Sequence, residues 1–378
     1  MAERPIPQST ERPANGIGAL RLLFASLVII SHSYAMLDDS DVREPLHRIF
    51  HTYSLGAVAV DGFFLISGYL ITASFVSSAT IVDYFRKRIL RIYPAFVVSS
   101  LLCVFVVAPL GGAVIKALDA GDWARLGYRL VMLKAPVVSG AFAGLAEPAL
   151  NGSAWTISYE FRCYILAALL GVIGLYKRPR IFVALTLAVI VAEIALGWPD
   201  HDIKAPGWFE AALGDPRQDA RLLGAFMAGA CFWLYRKALP LKGLYAAVAA
   251  VLLCGLMFSP HFAQPALVLL GGYALFWVSF KARWKPLLTI NVRQDISYGT
   301  YLYAWPIGIL LVWFWRTIPA PALILLTTAG ALILGAISWY AIEQPALRWK
   351  PKGRRLGPKE GTPPVATTPG APGLRQRA

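Results

Sequence analysis

Two costly polar side chains, Arg21 and His32, lie eleven residues apart in the first long apolar segment of the chain. On an α-helix eleven residues make about three turns, so both side chains project from nearly the same face, roughly 16 Å apart. Imidazole titrates near neutral pH and can accept a proton from a hydroxyl nucleophile, which makes His32 a candidate general base. The simpler alternative is that Arg21 anchors the helix at a membrane surface and that His32 is an interfacial residue.

Two carboxylates are further candidates for chemistry. Asp61 lies a few residues into the second apolar segment, and Glu160 lies near the start of the fourth. We predict that Asp61 holds the tautomer of His32 and stabilises its cation, as the acid of a triad does. Glu160 and Arg162 are two residues apart and do not face each other on a helix, so Glu160 is expected to point into the bundle. The alternatives are a helix-start carboxylate for Asp61 and a structural ion pair for Glu160.

A cationic stretch precedes the third apolar segment. Arg88 and Arg91 are three residues apart and share one helix face. Guanidinium groups match phosphate oxygens well, and coenzyme A is a cytoplasmic metabolite with several phosphates, so the pair is a candidate phosphate clamp. The alternative is an ordinary cation-rich cytoplasmic loop without a ligand.

Composition predicts the elements that must position these side chains. Hydrophobic residues make up 57% of the 378 residues and charged residues only 15%, whereas soluble domains carry about 25% charged residues. We therefore predict an all-α polytopic membrane helix bundle of about ten spans, since a bilayer requires ~20 apolar residues per span. The predicted spans are approximately 17–36, 54–76, 92–112, 157–176, 180–197, 220–236, 241–259, 264–281, 296–315 and 320–341.

The distribution of charge predicts orientation and excludes some classes of protein. The net charge of +15 would suggest nucleic-acid binding in a soluble protein, but here Lys and Arg crowd alternate loops, as in cytoplasmic loops of membrane proteins. Both termini are thus predicted to be cytoplasmic, with no nucleic acid as a partner. The four cysteines lie in apolar segments without metal-ligand spacing, so neither a metal nor a disulfide framework is expected.

Three regions follow from these patterns. Residues 1–16 form a cytoplasmic N-terminal segment, residues 17–348 the transmembrane domain, and residues 349–378 a basic tail rich in Pro and Gly that is predicted to be disordered. Two long outer loops, 113–156 and 198–219, contain Trp and are expected to be ordered. The tryptophans in question are Trp123, Trp155, Trp198 and Trp208.

Six stretches together resemble the acyltransferase family 3 membrane proteins, the O-acetyltransferases that decorate bacterial surface polysaccharides. The first two resemble that family's Arg-x10-His and Asp-x-Phe-Phe-x-x-Ser-Gly patterns, and the next two its Arg-x-x-Arg and Trp-Ser-Leu-x-x-Glu patterns. One departure is Phe161, which stands where many members carry a second acid. In chain order the stretches are Arg21 to His32, Asp61 to Tyr69, Arg88 to Pro94, Trp155 to Glu160, Ile296 to Tyr303 and Glu343 to Pro345.

The resemblance covers about residues 15–348 and implies the stand-alone membrane form. It implies transfer of an acyl group, most simply acetyl, from cytoplasmic acyl-CoA to a hydroxyl of a carbohydrate or lipid-linked sugar, in a multi-pass protein of the inner (plasma) membrane. Under this interpretation Arg21, Arg88 and Arg91 bind acyl-CoA, His32 is the base assisted by Asp61, and Glu160 orients the acceptor or shares the proton.

Two other functions compete with this interpretation. A transporter could use the same ionisable residues as a proton relay without making bonds. A purely structural subunit of a glycan-assembly complex ranks last, because buried ionisable groups are an expensive feature for that role.

Overall fold

A computed structural model describes residues 15–197, 206, 214–292 and 294–349, and within these residues the chain is helical and contains no strand. Ten long helices follow one another. They are α1 (Ile17–Asp38), α2 (Leu55–Ser77), α3 (Ile81–Leu110), α4 (Trp155–Val172), α5 (Pro179–Gly197), α6 (Pro216–Leu234), α7 (Gly243–Leu256), α8 (Ala263–Lys281), α9 (Ser297–Phe314) and α10 (Ala320–Arg348). Shorter helices span Pro45–Phe50, Ala120–Val131 and Lys285–Thr289, and single 3₁₀ turns span Ile115–Ala117, Gly152–Ala154 and Leu175–Lys177.

The all-helical prediction is confirmed for the described residues, and a helix occupies each predicted span. Five helices, α1, α2, α3, α8 and α10, are long and apolar enough to cross a membrane. The count of ten spans and the cytoplasmic position of both termini stay predictions. The third helix begins at Ile81 rather than near 92, because Thr80 caps it by accepting a hydrogen bond from Asp83 N–H at 3.0 Å.

The predictions for the ends of the chain and one outer loop lie mostly outside the described residues. This applies to residues 1–14, to Trp198 and Trp208, and to the tail after Trp349. The other loop, 113–156, is ordered as expected: it contains the helix Ala120–Val131, where Trp123 stacks on Phe105 with ring centroids 5.9 Å apart.

Helices α2 and α6 form the closest helix pair of the described bundle. A Cβ atom on Gly68 would overlap the carbonyl oxygen of Phe226, and one on Gly229 would overlap the carbonyl oxygen of Leu65. Small residues allow this approach because the two backbones touch directly. The pair forms one wall of the bundle, with α1 and α4 packed on α2 and with α5 on α6.

One turn of π-helix interrupts α10 near its C-terminal end. Residues Trp339–Glu343 adopt this wider turn, and Glu343 is buried with 2% of its surface exposed. Ser338 Oγ donates to Glu343 Oε1 at 3.1 Å. Such local π turns are frequent at functional sites, because they redirect a side chain without ending the helix. Here the turn brings a carboxylate to the face of α3.

Candidate active site

A cavity of about 740 Å³ lies among α1, α2, α3, α4 and α9. Its size falls within the roughly 300–1,000 Å³ typical of ligand pockets. Its lining includes all three arginines and the glutamate that the sequence singled out. The polar lining residues are Arg21, Ser67, Ser74, Ser77, Lys87, Arg88, Arg91, Thr156, Glu160, Tyr164, Ser297, Tyr298 and Tyr301.

Two cations at one end of the cavity have no carboxylate partner in the described part of the chain. Arg88 donates from Nη2 to Ser74 Oγ at 3.3 Å, and its guanidinium carbon lies 5.8 Å from the centre of the Tyr164 ring. Its Nε is buried without a hydrogen-bond partner. Lys87 donates to Ser78 Oγ at 3.1 Å. An unneutralised guanidinium and ammonium therefore face the same space, which is the charge arrangement that an anionic ligand requires.

The other two arginines of the cavity are held by carboxylates that the sequence analysis did not assign. Asp295 Oδ2 accepts from Arg21 Nη1 and, at 2.6 Å, from Arg91 Nη2. Arg91 Nη1 also donates to Glu343 Oε2 at 3.1 Å. Asn291 and Ser297 donate to the second oxygen of Asp295 at 3.2 and 2.5 Å. Two positive and two negative charges thus compensate one another and join α1, α3, α9 and α10.

Glu160 points into the cavity, as predicted. Its Oε1 accepts a hydrogen bond from Ser67 Oγ at 3.2 Å and another from the Tyr164 hydroxyl. Arg162 points elsewhere and pairs with Asp219 at 3.0 Å. Glu160 therefore faces the same space as Arg88 but is engaged by hydroxyl groups rather than by a cation.

His32 lies behind the cavity wall, at the end away from Arg88. The hydroxyl groups of Thr156 and Tyr301, which line the cavity, are 2.7 Å apart. Tyr301 donates to the carbonyl oxygen of Ser153 at 2.6 Å, and Ser153 Oγ lies 3.2 Å from His32 Nδ1. The imidazole also packs edge-on against Trp305, with ring centroids 4.9 Å apart. Ser153 thus contacts a hydroxyl group of the cavity wall through its backbone carbonyl and the imidazole through its side chain.

The predicted contact between Asp61 and His32 is wrong for this structure. Asp61 is fully buried, and its two oxygens lie 3.0 and 3.3 Å from Arg221 Nε. The Tyr53 hydroxyl donates to the same carboxylate at 3.2 Å. The prediction failed because Asp61 has no cation near it in sequence, whereas folding brings Arg221 of α6 against α2. Ser153 takes the position beside the imidazole that was expected for the acid.

No group of three or more His, Cys, Asp or Glu side chains that could hold a metal ion occurs within the described residues. The four cysteines are unpaired with one another.

Comparison with known proteins identifies the family. A family profile described as an acyltransferase domain matches residues 15–342. The chain belongs to acyltransferase family 3. This family assignment, together with the apolar helices, supports a membrane protein with acyltransferase activity.

The chain is similar along most of its length to curated proteins, two of which are described as O-acetyltransferases. An O-acetyl transferase of Shigella phage Sf6 is 28% identical over 340 residues, covering 88% of this chain and 95% of the relative. Nodulation protein 10 of Rhizobium leguminosarum bv. viciae is 25% identical, covering 88% of this chain and 93% of the relative. A putative peptidoglycan O-acetyltransferase of Bacillus subtilis is 23% identical, covering 79% of this chain and 52% of the relative. No solved structure matches the chain.

Sequence reasoning missed four residues of this site for different reasons. Asp295 and Arg221 lie far from their partners in sequence, and no local pattern links them. Glu343 falls inside a stretch that carried the family resemblance, and Ser153 lies two residues before another, which is the signal that could have drawn attention to them.

Proposed function

We propose that this protein is an integral membrane O-acyltransferase that moves an acyl group, most simply acetyl, from acyl-CoA to a hydroxyl of a sugar. The acceptor belongs to a cell-surface or exported glycan, in free or lipid-linked form, and the protein resides in the inner (plasma) membrane. The observation that carries this proposal is the cavity: unneutralised cations occupy one end, and at the other end the Tyr301 hydroxyl contacts Ser153, which in turn contacts His32.

Donor binding uses the cationic end. Arg88 and Lys87 are free to contact the phosphates of coenzyme A, and a guanidinium can bind two phosphate oxygens at once. Arg91 and Arg21 line the same wall, where Asp295 and Glu343 hold their side chains. In this proposal they shape the donor site and position Arg88, which lies one turn before Arg91 on α3.

Acyl transfer takes place at the opposite end. His32 accepts the proton of the acceptor hydroxyl, whose oxygen attacks the thioester carbonyl. The carbon–sulfur bond breaks, coenzyme A departs as a thiolate, and the imidazolium returns the proton to it. The products are an O-acyl sugar and free coenzyme A.

Two neighbours prepare the imidazole and the acceptor. If His32 Nδ1–H donates to Ser153 Oγ, Nε2 keeps its lone pair for the substrate proton, so Ser153 sets the tautomer. Glu160 faces the cavity and orients the acceptor or shares its proton. Asp61 pairs with Arg221 and thereby joins α2 to α6. In this proposal it has no direct part in the transfer.

The experiment compares variants of the full-length protein in inverted membrane vesicles supplied with radiolabelled acetyl-CoA. We expect His32→Gln to bind acetyl-CoA as the unaltered protein does but to transfer no label to glycan. Arg88→Gln should weaken donor binding about tenfold or more. His51→Gln is the matched control, because His51 lies on the segment between α1 and α2 and outside the cavity.

Undiminished transfer by His32→Gln would overturn the assignment of the base. Movement of a glycan or small acid across the vesicle membrane without consumption of acetyl-CoA would favour the transporter instead.

A further inference from the structure

A second cavity, of about 530 Å³, lies where the end of α1 meets the loop between α9 and α10. Three arginines from two segments of the chain line it. Arg43 and Arg48 come from the connection between α1 and α2, and Arg316 follows α9. Asp38, at the end of α1, lines it as well.

The charges in this cavity do not cancel. Asp38 accepts two hydrogen bonds from Arg43, one of them from Nε at 2.7 Å. Arg48 and Arg316 are exposed, and neither has a carboxylate partner within the described residues. The guanidinium of Arg316 lies 4.4 Å from the centre of the Trp313 ring, which limits its freedom. One carboxylate thus faces three guanidinium groups.

The loop preference that explains other cations of this protein does not explain the arginines of the second cavity. Cations at the other end, such as Arg236 and Lys242, follow from the preference of cytoplasmic loops for Lys and Arg. In the proposed orientation, Arg48 and Arg316 lie at the opposite surface, where that preference does not operate. Their convergence on one concave surface is the arrangement that recognises a carboxylate or phosphate.

The segment that carries Arg48 is tied to the bundle. Glu44 is fully buried, and its two carboxylate oxygens accept from His47 N–H at 2.8 Å and from Leu55 N–H at 3.0 Å. The first bond caps the short helix Pro45–Phe50, and the second fixes that helix to the start of α2. Thr52 Oγ1 also donates to the carbonyl oxygen of Met257 at the end of α7. The backbone of the helix that carries Arg48 is therefore held in position by buried contacts, and the exposed guanidinium extends from it.

This cavity lies outward of the proposed base, along the same two helices. His32 and Trp305 pack together, one on α1 and one on α9. From His32 to Asp38 the rise along α1 is about 9 Å, and from Trp305 to Arg316 the chain advances by up to about 16 Å, at ~1.5 Å per residue. An oligosaccharide rather than a single sugar is needed to span these distances. The cavity is on the side of His32 away from Arg88.

We propose that this second cavity is an acceptor subsite that binds an anionic group, a carboxylate or a phosphate, carried by the glycan that is acylated. The inference rests on the proposed function, since it names the class of its acceptor. Arg48 and Arg316 bind the anionic group, and Arg43 is kept in place by Asp38. A neighbouring neutral part of the same acceptor then extends inward and supplies its hydroxyl to His32.

Binding is tested without turnover, by protection from arginine modification. The full-length protein in phosphatidylcholine nanodiscs is treated with phenylglyoxal, and labelled arginines are mapped by mass spectrometry. The probes are a hexuronate disaccharide and glucose 1-phosphate, with the methyl ester of the disaccharide and glucose as uncharged counterparts. Arg125, whose side chain is 74% exposed on the helix Ala120–Val131, is the internal control.

We expect at least one charged sugar to slow the labelling of Arg48 and Arg316 but not of Arg125, and the uncharged counterparts to have no effect. In the variant Arg48→Gln, Arg316→Gln, protection of the remaining Arg43 should require about a hundredfold more sugar, at roughly tenfold per lost charge-assisted contact. In the double variant Arg48→Lys, Arg316→Lys, the charged sugar should still protect Arg43 from labelling almost as well as in the unaltered protein.

Three results would overturn the subsite: no protection by either charged sugar, equal protection by the uncharged counterparts, or protection that arises only when phosphatidylglycerol is added to the nanodiscs. The last would identify a lipid headgroup as the source of the anion.

The transfer assay separates this inference from the proposed function. Acyl transfer by the double Gln variant should show a raised acceptor KM with an unchanged KM for acetyl-CoA. If labelling is protected but His32→Gln still transfers acyl groups, the proposed base falls while the anion site stands.

Discussion

Replacing Asp61 with Asn distinguishes a structural role of this carboxylate from a catalytic one. The side chain of Asp61 is fully buried, and that of its partner Arg221 is only 15% exposed. The substitution keeps the shape of the side chain but leaves the guanidinium with the Gln218 side chain, at 3.1 Å, and the Ala57 carbonyl, at 2.9 Å. Breaking a buried ion pair by removing one partner typically costs about 3–5 kcal/mol, because the remaining charge is uncompensated.

The expected magnitude follows from this burial. We expect Asp61→Asn to lower the free energy of unfolding by about 3–5 kcal/mol, since little water reaches Arg221 to replace the lost carboxylate. Arg221→Gln should have a similar effect. In the double variant neither charge remains, so its loss should be close to that of one single variant, which gives a coupling energy of about 3–5 kcal/mol.

The assay is denaturant unfolding of the purified full-length protein in mixed detergent micelles, together with acyl transfer by the fraction that is folded. Per folded molecule, each variant should retain most of its transfer activity. The reasoning is refuted if Asp61→Asn abolishes transfer at unchanged stability while Arg221→Gln transfers normally. That pattern would require Asp61 to act on the reacting groups rather than on Arg221.

Three further predictions address the cavity and the helix pair. Arg88→Gln should weaken acetyl-CoA binding about tenfold or more, since a hydrogen bond to a charged group contributes about 1.5–3 kcal/mol. Isothermal titration calorimetry of the protein in nanodiscs measures the change in affinity. Unaltered affinity would show that Arg88 does not bind the donor. Ser153→Ala should reduce the transfer rate up to about tenfold at unchanged donor affinity, because His32 loses the hydrogen bond that sets its tautomer; a normal rate contradicts that role. Gly229→Ala should sharply lower the yield of monodisperse protein, because the added Cβ would overlap a carbonyl oxygen of α2. The control variant Gly127→Ala should keep the normal yield, because open space surrounds that position. Equal yields of the two variants would contradict the close contact between α2 and α6.

Local sequence patterns predicted the helices and many of the polar residues around the cavity. Runs of apolar residues indicate membrane helices regardless of their neighbours, and the spacing of Arg88 and Arg91 places both on one face of α3. The inward direction of Glu160 followed from its spacing to Arg162. These predictions succeeded because each depends on the geometry of a single helix.

Pairings between helices were not predictable in the same way. Asp61 was assigned to His32 by depth, yet depth does not determine which side of a helix faces which neighbour. Arg221, 160 residues away in sequence, is the actual partner. Likewise, Asp295 contacts Arg21 and Arg91 only because α1, α3 and α9 converge. One chain without an alignment contains no local signal for such contacts.

The reciprocal glycine contacts of α2 and α6 also restrict how the bundle can move. Gly68 and Gly229 each seat against a backbone carbonyl of the opposite helix, so sliding one helix along the other would drive those carbonyls into side chains. The Asp61–Arg221 pair joins the same two helices near their N-terminal ends. We therefore expect α2 and α6 to move together as one rigid unit. Any change in the shape of the cavity is then expected to come from the other helices that line it, α1, α3, α4 and α9.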